Sequence, residues 1–141
     1  MPTFKLRMNP PTATSQEIKT AYVNGRVMRY KSKAAKETFR VLNEALKPYA
    51  PEAPMTGPIF LACHWMFPQG KSHKNGEWKI SAPDTDNLQK ALKDVMTRLG
   101  FWEDDRLVCS EVITKSWSND PGIKITYDSL AEAGVTRFDI G

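Results

Sequence analysis

Asp84-Thr85-Asp86-Asn87 and Glu103-Asp104-Asp105 are two acidic clusters in a chain whose net charge is +4. Carboxylates crowded together repel unless a cation lies between them. Hard divalent ions such as Mg²⁺ take oxygen ligands, usually one or two carboxylates completed by phosphate oxygens and water. An ion held this way makes a nucleophile of water and offsets charge during in-line displacement at a phosphodiester. The same residues admit a plainer reading. Asp86 with Gln89 three residues later is an ordinary capping pair, Asp84 suits a helix dipole, Asp86 and Lys90 are spaced for an i,i+4 ion pair, and Glu103-Asp104-Asp105 makes a solvated turn. Spacing alone leaves both open.

The element between the clusters is the most regular in the chain. Leu88, Ala91, Leu92, Val95, Met96 and Leu99 recur at helical spacing, with Arg98 in the last turn and Gly100 placed to end it, which predicts a helix from about Asn87 to Leu99. Upstream, Phe4, Leu6 and Met8 alternate with polar residues as a strand over Thr3 to Met8 would, and Asn9-Pro10-Pro11 stops it. Tyr22-Val23 and Val27 to Tyr30 flank Asn24-Gly25, the dipeptide favoured by type I′ hairpins; Thr12 to Ala21 shows no clear period. Ser32 can cap a helix carrying Ala35, Phe39, Leu42 and Leu46 that Pro48 ends, and residues 48–58 read as a loop. Ile59 to Phe67, apolar on both alternating faces, predicts a central strand, and residues 68–82 a mobile basic loop. Leu107 to Trp117 and Gly122 to Asp128 read as a hairpin across Asn119-Asp120-Pro121-Gly122, while the last dozen residues give no clear pattern. This order indicates one α+β domain over residues 1–141, a small mixed or antiparallel sheet packed with two main helices.

Composition narrows the chemistry further. The chain is 141 residues, 40% hydrophobic and 26% charged, which suits one ordinary domain and excludes repeat arrays and disordered tails. No apolar run approaches the ~20 residues a membrane helix needs, and the N-terminal residues lack a secretory pattern, so a cytoplasmic protein without membrane attachment is expected. Cys63 and Cys109 stand in no ligand-like spacing to His64 and His73; neither a disulfide scaffold nor a zinc site is suggested, and both thiols read as core. Residues 1–50 hold ten Lys and Arg against three acids (+7), whereas residues 51–141 hold ten against thirteen (−3). A protein that grips a polyanion and cuts it with carboxylate-bound cations would divide its charge so, although a solvated surface of mixed charge gives the same totals. Candidate phosphate contacts are Lys33, Lys36 and Arg40 on the exposed face of the first helix and Lys71, Lys74 and Lys79 in the basic loop.

Asp84-Thr85-Asp86-Asn87-Leu88-Gln89-Lys90-Ala91, followed by Gly100-Phe101-Trp102-Glu103-Asp104-Asp105 and Val108, closely resembles the signature of the RusA-like Holliday junction resolvases. In that family D-x-D-N-L-x-K opens a helix and a second D-D landmark closes the following turn; Asp105 follows Asp84 here by the family's spacing of 21 residues. The resemblance implies a small Mg²⁺-dependent endonuclease, with Mn²⁺ a candidate substitute, that works as an intertwined homodimer without a nucleotide cofactor. It nicks four-way DNA junctions symmetrically in recombination and repair, and such proteins are often carried by phages and prophages. It also implies metal binding by Asp84, Asp86 and Asp105, an essential lysine at Lys90 contacting phosphate or developing charge, and supporting positions at Asn87 and Asp104. Asn87 either hydrogen-bonds a neighbouring carboxylate or simply occupies the first helical turn. Two departures stand out. Lys79-Ile80-Ser81-Ala82-Pro83 replaces the arginines that often precede the first aspartate, and Ser110 stands where an acid is common, with Glu111 one position on.

Chain geometry adds an expectation. The predicted helix is ~18 Å long, and six extended steps from Leu99 to Asp105 reach at most ~20 Å, part of it consumed by the turn at Gly100. Asp105 therefore reaches Asp84 and Asp86 more easily across a dimer than within one chain, which predicts a composite site. The alternatives are a junction-binding module whose aspartates only cap and solvate the helix, and a nonspecific nuclease using the same metal site.

Overall fold

Ile59, Leu61, Cys63, Trp65 and Phe67 alternate with less buried neighbours along β4 (Ile59–Pro68), which forms the spine of the molecule. The computed structural model describes residues 2–13 and 18–131. β4 is flanked on one side by β5 (Val108–Ser118), parallel, and on the other by β6 (Gly122–Ser129), antiparallel; β6 in turn pairs with β1 (Thr3–Leu6). The sheet is thus mixed, in the order β1-β6-β4-β5. β2 (Ile18–Val23) and β3 (Arg26–Lys31) form a separate hairpin, and its Asn24 and Gly25 both take positive φ (51° and 75°) as a type I′ turn requires.

Two helices cover one face of the sheet. α1 (Lys33–Leu46) begins at Ser32, whose hydroxyl accepts from the Ala35 N–H at 3.1 Å, and continues into a 3-10 turn at Lys47–Tyr49 that contains Pro48. α2 (Thr85–Arg98) buries Leu88, Ala91, Leu92, Val95 and Met96 against the sheet, starting two residues earlier than its apolar period indicates. Register explains the core: Trp65 faces Ile123, Cys63 faces Ile125 and Leu61 faces Tyr127, so one row of each strand lies beneath the helices. On the edge strand β1, Phe4 stacks on Tyr49 with ring centroids 4.3 Å apart. Among the described residues no helix is long and apolar enough to cross a membrane.

Three expectations are corrected. β5 and β6 do not pair as a hairpin, because residues 119–121 carry the chain past the end of β4 and deliver β6 to its opposite edge. β4 is the most apolar strand and needs a ladder on both edges to satisfy its backbone, whereas alternation identifies a strand without identifying its partner. The segment 68–82 is not a wholly detached loop: the bond from Gln69 to Ser118 continues the β4–β5 ladder, and bonds from Gly76 to Trp117, Trp117 to Glu77 and Lys79 to Lys115 lay residues 76–79 along the outer edge of β5. Cys63 is buried, and burial pushes its thiol up to about 12, but Cys109 is exposed. The unpatterned segment around Thr12 to Ala21 lies partly, and the last dozen residues mostly, outside the described residues.

Candidate active site

Asp84 is the N-cap of α2, with extended backbone (φ −71°, ψ 149°), yet its side chain makes no capping hydrogen bond. N-cap aspartates ordinarily spend an oxygen on the free N–H groups of the first turn. Here the carboxylate is exposed and, among the described residues, without a hydrogen-bond or ion-pair partner. Asp86 does not form the capping pair its spacing suggests, because Gln89 is buried (1% exposed): its amide oxygen accepts the Trp65 indole N–H at 3.1 Å and its amide nitrogen donates to Cys63 Sγ at 3.1 Å. Asp86 and Lys90 are exposed and, among the described residues, neither is in an ion pair or side-chain hydrogen bond. Asn87 sits in the first helical turn without a side-chain partner among those residues. The side-chain cap and the Asp86–Lys90 ion pair are thus absent from the geometry, while Asp84 and Asp86 do stand at the positive end of the helix dipole.

The second cluster lies at the other end of α2, where a 3-10 turn at Asp105–Leu107 leads into β5. Asp104 caps that turn by accepting the Arg106 backbone N–H at 2.9 Å and pairs with the Arg106 guanidinium at 3.0 Å. That backbone N–H above all holds the Asp104 carboxyl below its usual range. Asp105 is pushed the opposite way, first by partial burial and then by Asp104 and Asp94, with Lys93 opposing. A carboxyl pressed among other acids is the environment a divalent cation relieves.

A parallel β4–α2–β5 crossover sets α2 antiparallel to both strands. Asp84 and Asp86 therefore stand at the C-terminal end of the strands and Asp105 at the N-terminal end of β5. Even the turn of α2 carrying Lys93 and Asp94, whose charges act on Asp105, is about 13 Å along the helix from Asp84 at 1.5 Å per residue. One chain brings Asp84 beside Asp86 and Asp104 beside Asp105, but not the two pairs together. Among the described residues no group of three or more His, Cys, Asp or Glu is placed to hold a metal. Glu111 lies between the two ends and pairs with Lys93 at 3.2 Å.

The basic candidates divide. Lys71 and Lys74 are exposed beyond the C-terminal end of β4, the end of the strand at which Asp84 also stands. Lys33 and Lys36 are exposed on α1. Arg40 is exposed as well, but its guanidinium is held by Glu37 and by Glu44, the latter at 3.0 Å. Lys79 differs from the exposed contact expected of it. It is 7% exposed, donates to Ser81 Oγ at 2.6 Å and lies over the Trp117 ring at 4.4 Å from the centroid. Burial, then the nearby Lys115 charge, pushes its pKa down. Lys115 itself went unnoticed in the sequence: it is one lysine in an alternating strand, and only the fold shows its ammonium reaching the carbonyls of Ser81 and Pro83.

The family model described as Endodeoxyribonuclease RusA matches residues 9–127, which includes both acidic clusters and every element from α1 to β5. A crossover junction endodeoxyribonuclease rusA of Lactococcus phage r1t is 38% identical over 48 residues, covering 34% of this chain and 37% of that relative. The alignment thus spans little more than a third of the relative's length. With the family match over most of the chain and the acidic segment placed at the start of α2, the chain belongs to the RusA endodeoxyribonuclease family.

Proposed function

We propose that this protein is a Mg²⁺-dependent endodeoxyribonuclease that resolves four-way DNA junctions by paired, symmetry-related nicks. The observation that carries this reading is the pair of carboxylates Asp84 and Asp86, exposed at the start of α2 with Lys90 one turn on, all three without a side-chain partner among the described residues. Hard oxygen donors free of local partners fit Mg²⁺ or Mn²⁺. A magnesium ion bound there would acidify water and offset charge on a phosphodiester. Asp84, Asp86 and Asp105 would hold it. Lys90 supplies a compact positive charge to the phosphate oxygens from the exposed side of the helix, and Lys71 and Lys74 orient the DNA backbone from the same end of the sheet.

The separation of the two acidic pairs favours a dimer. A twofold axis crossing α2 near its middle, where Lys93 pairs with Glu111, would exchange the ends of the helix between protomers. Asp84 and Asp86 of one chain would then meet Asp105 of the other at two equivalent places. Two cuts in a junction need two such sites, and a C2 dimer supplies them.

The deciding experiment compares a synthetic four-way junction, a linear duplex and RNA in Mg²⁺, with wild type and the variants Asp84→Asn, Asp86→Asn and Asp105→Asn. The expected outcome is paired nicking of the junction alone, abolished in each variant, with metal-free junction binding unchanged or tightened as phosphate repulsion is removed. Equal cutting of duplex or RNA would replace this reading with a nonspecific nuclease. Junction binding without any Mg²⁺-dependent nicking would replace it with a binding module.

A further inference from the structure

Lys115 lies in β5 directly across from Trp65 of β4, and the two side chains are on the helix-covered face of the sheet. Its ammonium donates two short hydrogen bonds, to the Ser81 carbonyl at 2.6 Å and the Pro83 carbonyl at 2.7 Å. Pro83 immediately precedes Asp84. On the other side of the acidic segment, the Trp65 indole N–H donates to Gln89 at 3.1 Å, and Gln89 belongs to the turn of α2 that follows Asp86. One cross-strand pair thus grips the chain both just before and just after Asp84-Thr85-Asp86. Asp84 makes no side-chain cap, Asp86 and Asn87 have no side-chain partners among the described residues, and the other side-chain bond to this loop, from Lys79 to Ser81 Oγ, lies farther from Asp84 than the Lys115 bond to Pro83.

The choice of lysine is specific. Among the described residues no carboxylate pairs with Lys115, so its ammonium is not there for a salt bridge. An ammonium presents three donors and no acceptor, and two of them are committed to the carbonyls of Ser81 and Pro83, on either side of Ala82 in the loop that delivers Asp84. Backbone carbonyls fastened in this way fix the direction in which the chain enters the helix, and so the direction of the side chain at its N-cap. Binding constellations lose effectiveness steeply with displacements on the order of 1 Å.

We propose that Lys115 is a positioning residue that, with its register partner Trp65, holds Asp84 and Asp86 in the geometry that binds the divalent ion. The inference rests on the metal site of the proposed function. Lys115 touches neither ion nor DNA in this role; it acts through the backbone of residues 81–83.

The test is Mn²⁺ titration of the DNA-free protein, followed by the paramagnetic signal of the free ion, alongside the melting temperature and the Mg²⁺ dependence of junction cleavage. Lys115→Met fills the same volume without donors. It should melt near wild type yet bind Mn²⁺ about 10–100-fold more weakly, the loss typical of removing a group that orients a metal ligand. The Mg²⁺ concentration for half-maximal cleavage should rise in step. Lys115→Arg, which keeps donors at the end of the chain, should recover most of the affinity. Should the methionine variant fail to fold, Lys115→Gln carries the same expectation, because its amide is too short to reach both carbonyls. Wild-type Mn²⁺ affinity in any folded Met or Gln variant, or an arginine variant no better than the methionine one, overturns the proposal. Asp84→Asn/Asp86→Asn separates the two levels. If that double variant binds Mn²⁺ like wild type, the metal site itself is misplaced and this inference falls with it; if it loses the ion while Lys115→Met keeps it, only the positioning role is refuted.

Discussion

A carboxylate at a helix N-cap that makes no cap, followed by an aspartate and a lysine that decline their i,i+4 pair, is locally wasteful. Each such contact is worth a few tenths of a kcal/mol to about 1 kcal/mol, so the arrangement makes sense if the groups are held for another partner. For Lys90 this gives a sharp expectation. Lys90→Ala should leave the melting temperature within error of wild type, since no ion pair is lost, while junction cleavage falls by orders of magnitude and Lys90→Arg restores it only partly, a guanidinium being no compact point charge. Near-normal cleavage by the alanine variant would return Lys90 to the solvated surface. On the opposite face of the sheet, His64 bonds the Thr114 hydroxyl through Nδ1 and faces Ser116 Oγ at 3.1 Å through Nε2. Burial, and secondarily Lys124, pushes its pKa below the ordinary 6.5. The unfolded chain therefore takes up this proton before the folded one does, so the stability His64 contributes is present above pH 6.5 and is lost as pH falls below it. Urea unfolding at pH 7 and pH 5 should show a larger drop for wild type than for His64→Gln; parallel drops would dismiss the coupling.

Elements are tied together here by a few close approaches. β1 is only four residues long, and it is held to β6 at Gly122, where an added Cβ would stand 2.5 Å from the Leu6 carbonyl oxygen and 2.7 Å from Lys5 Cε. The lysine chain can move, but the carbonyl belongs to the ladder. Gly122→Ala should therefore cost about 1–3 kcal/mol, the usual range for overpacking, and expose β1 amides to hydrogen exchange ahead of β4. Denaturant titration with exchange read strand by strand checks this. Uniform protection across the sheet would mean that β1 absorbs the methyl by shifting. β5 is held differently, by a ladder with β4 along its length and by backbone bonds to residues 76–79 near its C-terminal end. That second attachment keeps the loop before Asp84 within reach of Lys115.

For the whole molecule, the distance between the ends of α2 becomes a statement about assembly. Mixing an Asp84→Asn/Asp86→Asn chain with an Asp105→Asn chain should restore single-strand nicking of a junction, because a composite arrangement rebuilds one intact site in each heterodimer while the other carries all three substitutions. Removing Mg²⁺ with a chelator should abolish this restored activity as it does that of wild type. Heterodimers demonstrated by differential tagging that remain inactive would place the complete site within one chain.

The strong local periods were readable from residues alone. The α2 stripe, the Ser32 cap, the Asn24-Gly25 turn and the double-faced apolar run of β4 each encode a structure in which neighbours along the chain decide the outcome. The acidic signature was readable for the same reason, as a short segment with tight spacing, and it sufficed to indicate the family. Strand partners were not readable: alternation is the same whether β6 pairs with β5 or passes around β4, and only competition for the edges of the central strand settles it. Nor could a composition count tell Lys79, drawn under Trp117, from Lys71 and Lys74 left in solvent. Lys115 marks the boundary between the two kinds of information. Its identity is one letter in an alternating strand, and its position beneath the backbone of residues 81–83 exists only because a parallel crossover returns β5 alongside β4 and brings residues more than thirty positions apart within hydrogen-bonding distance.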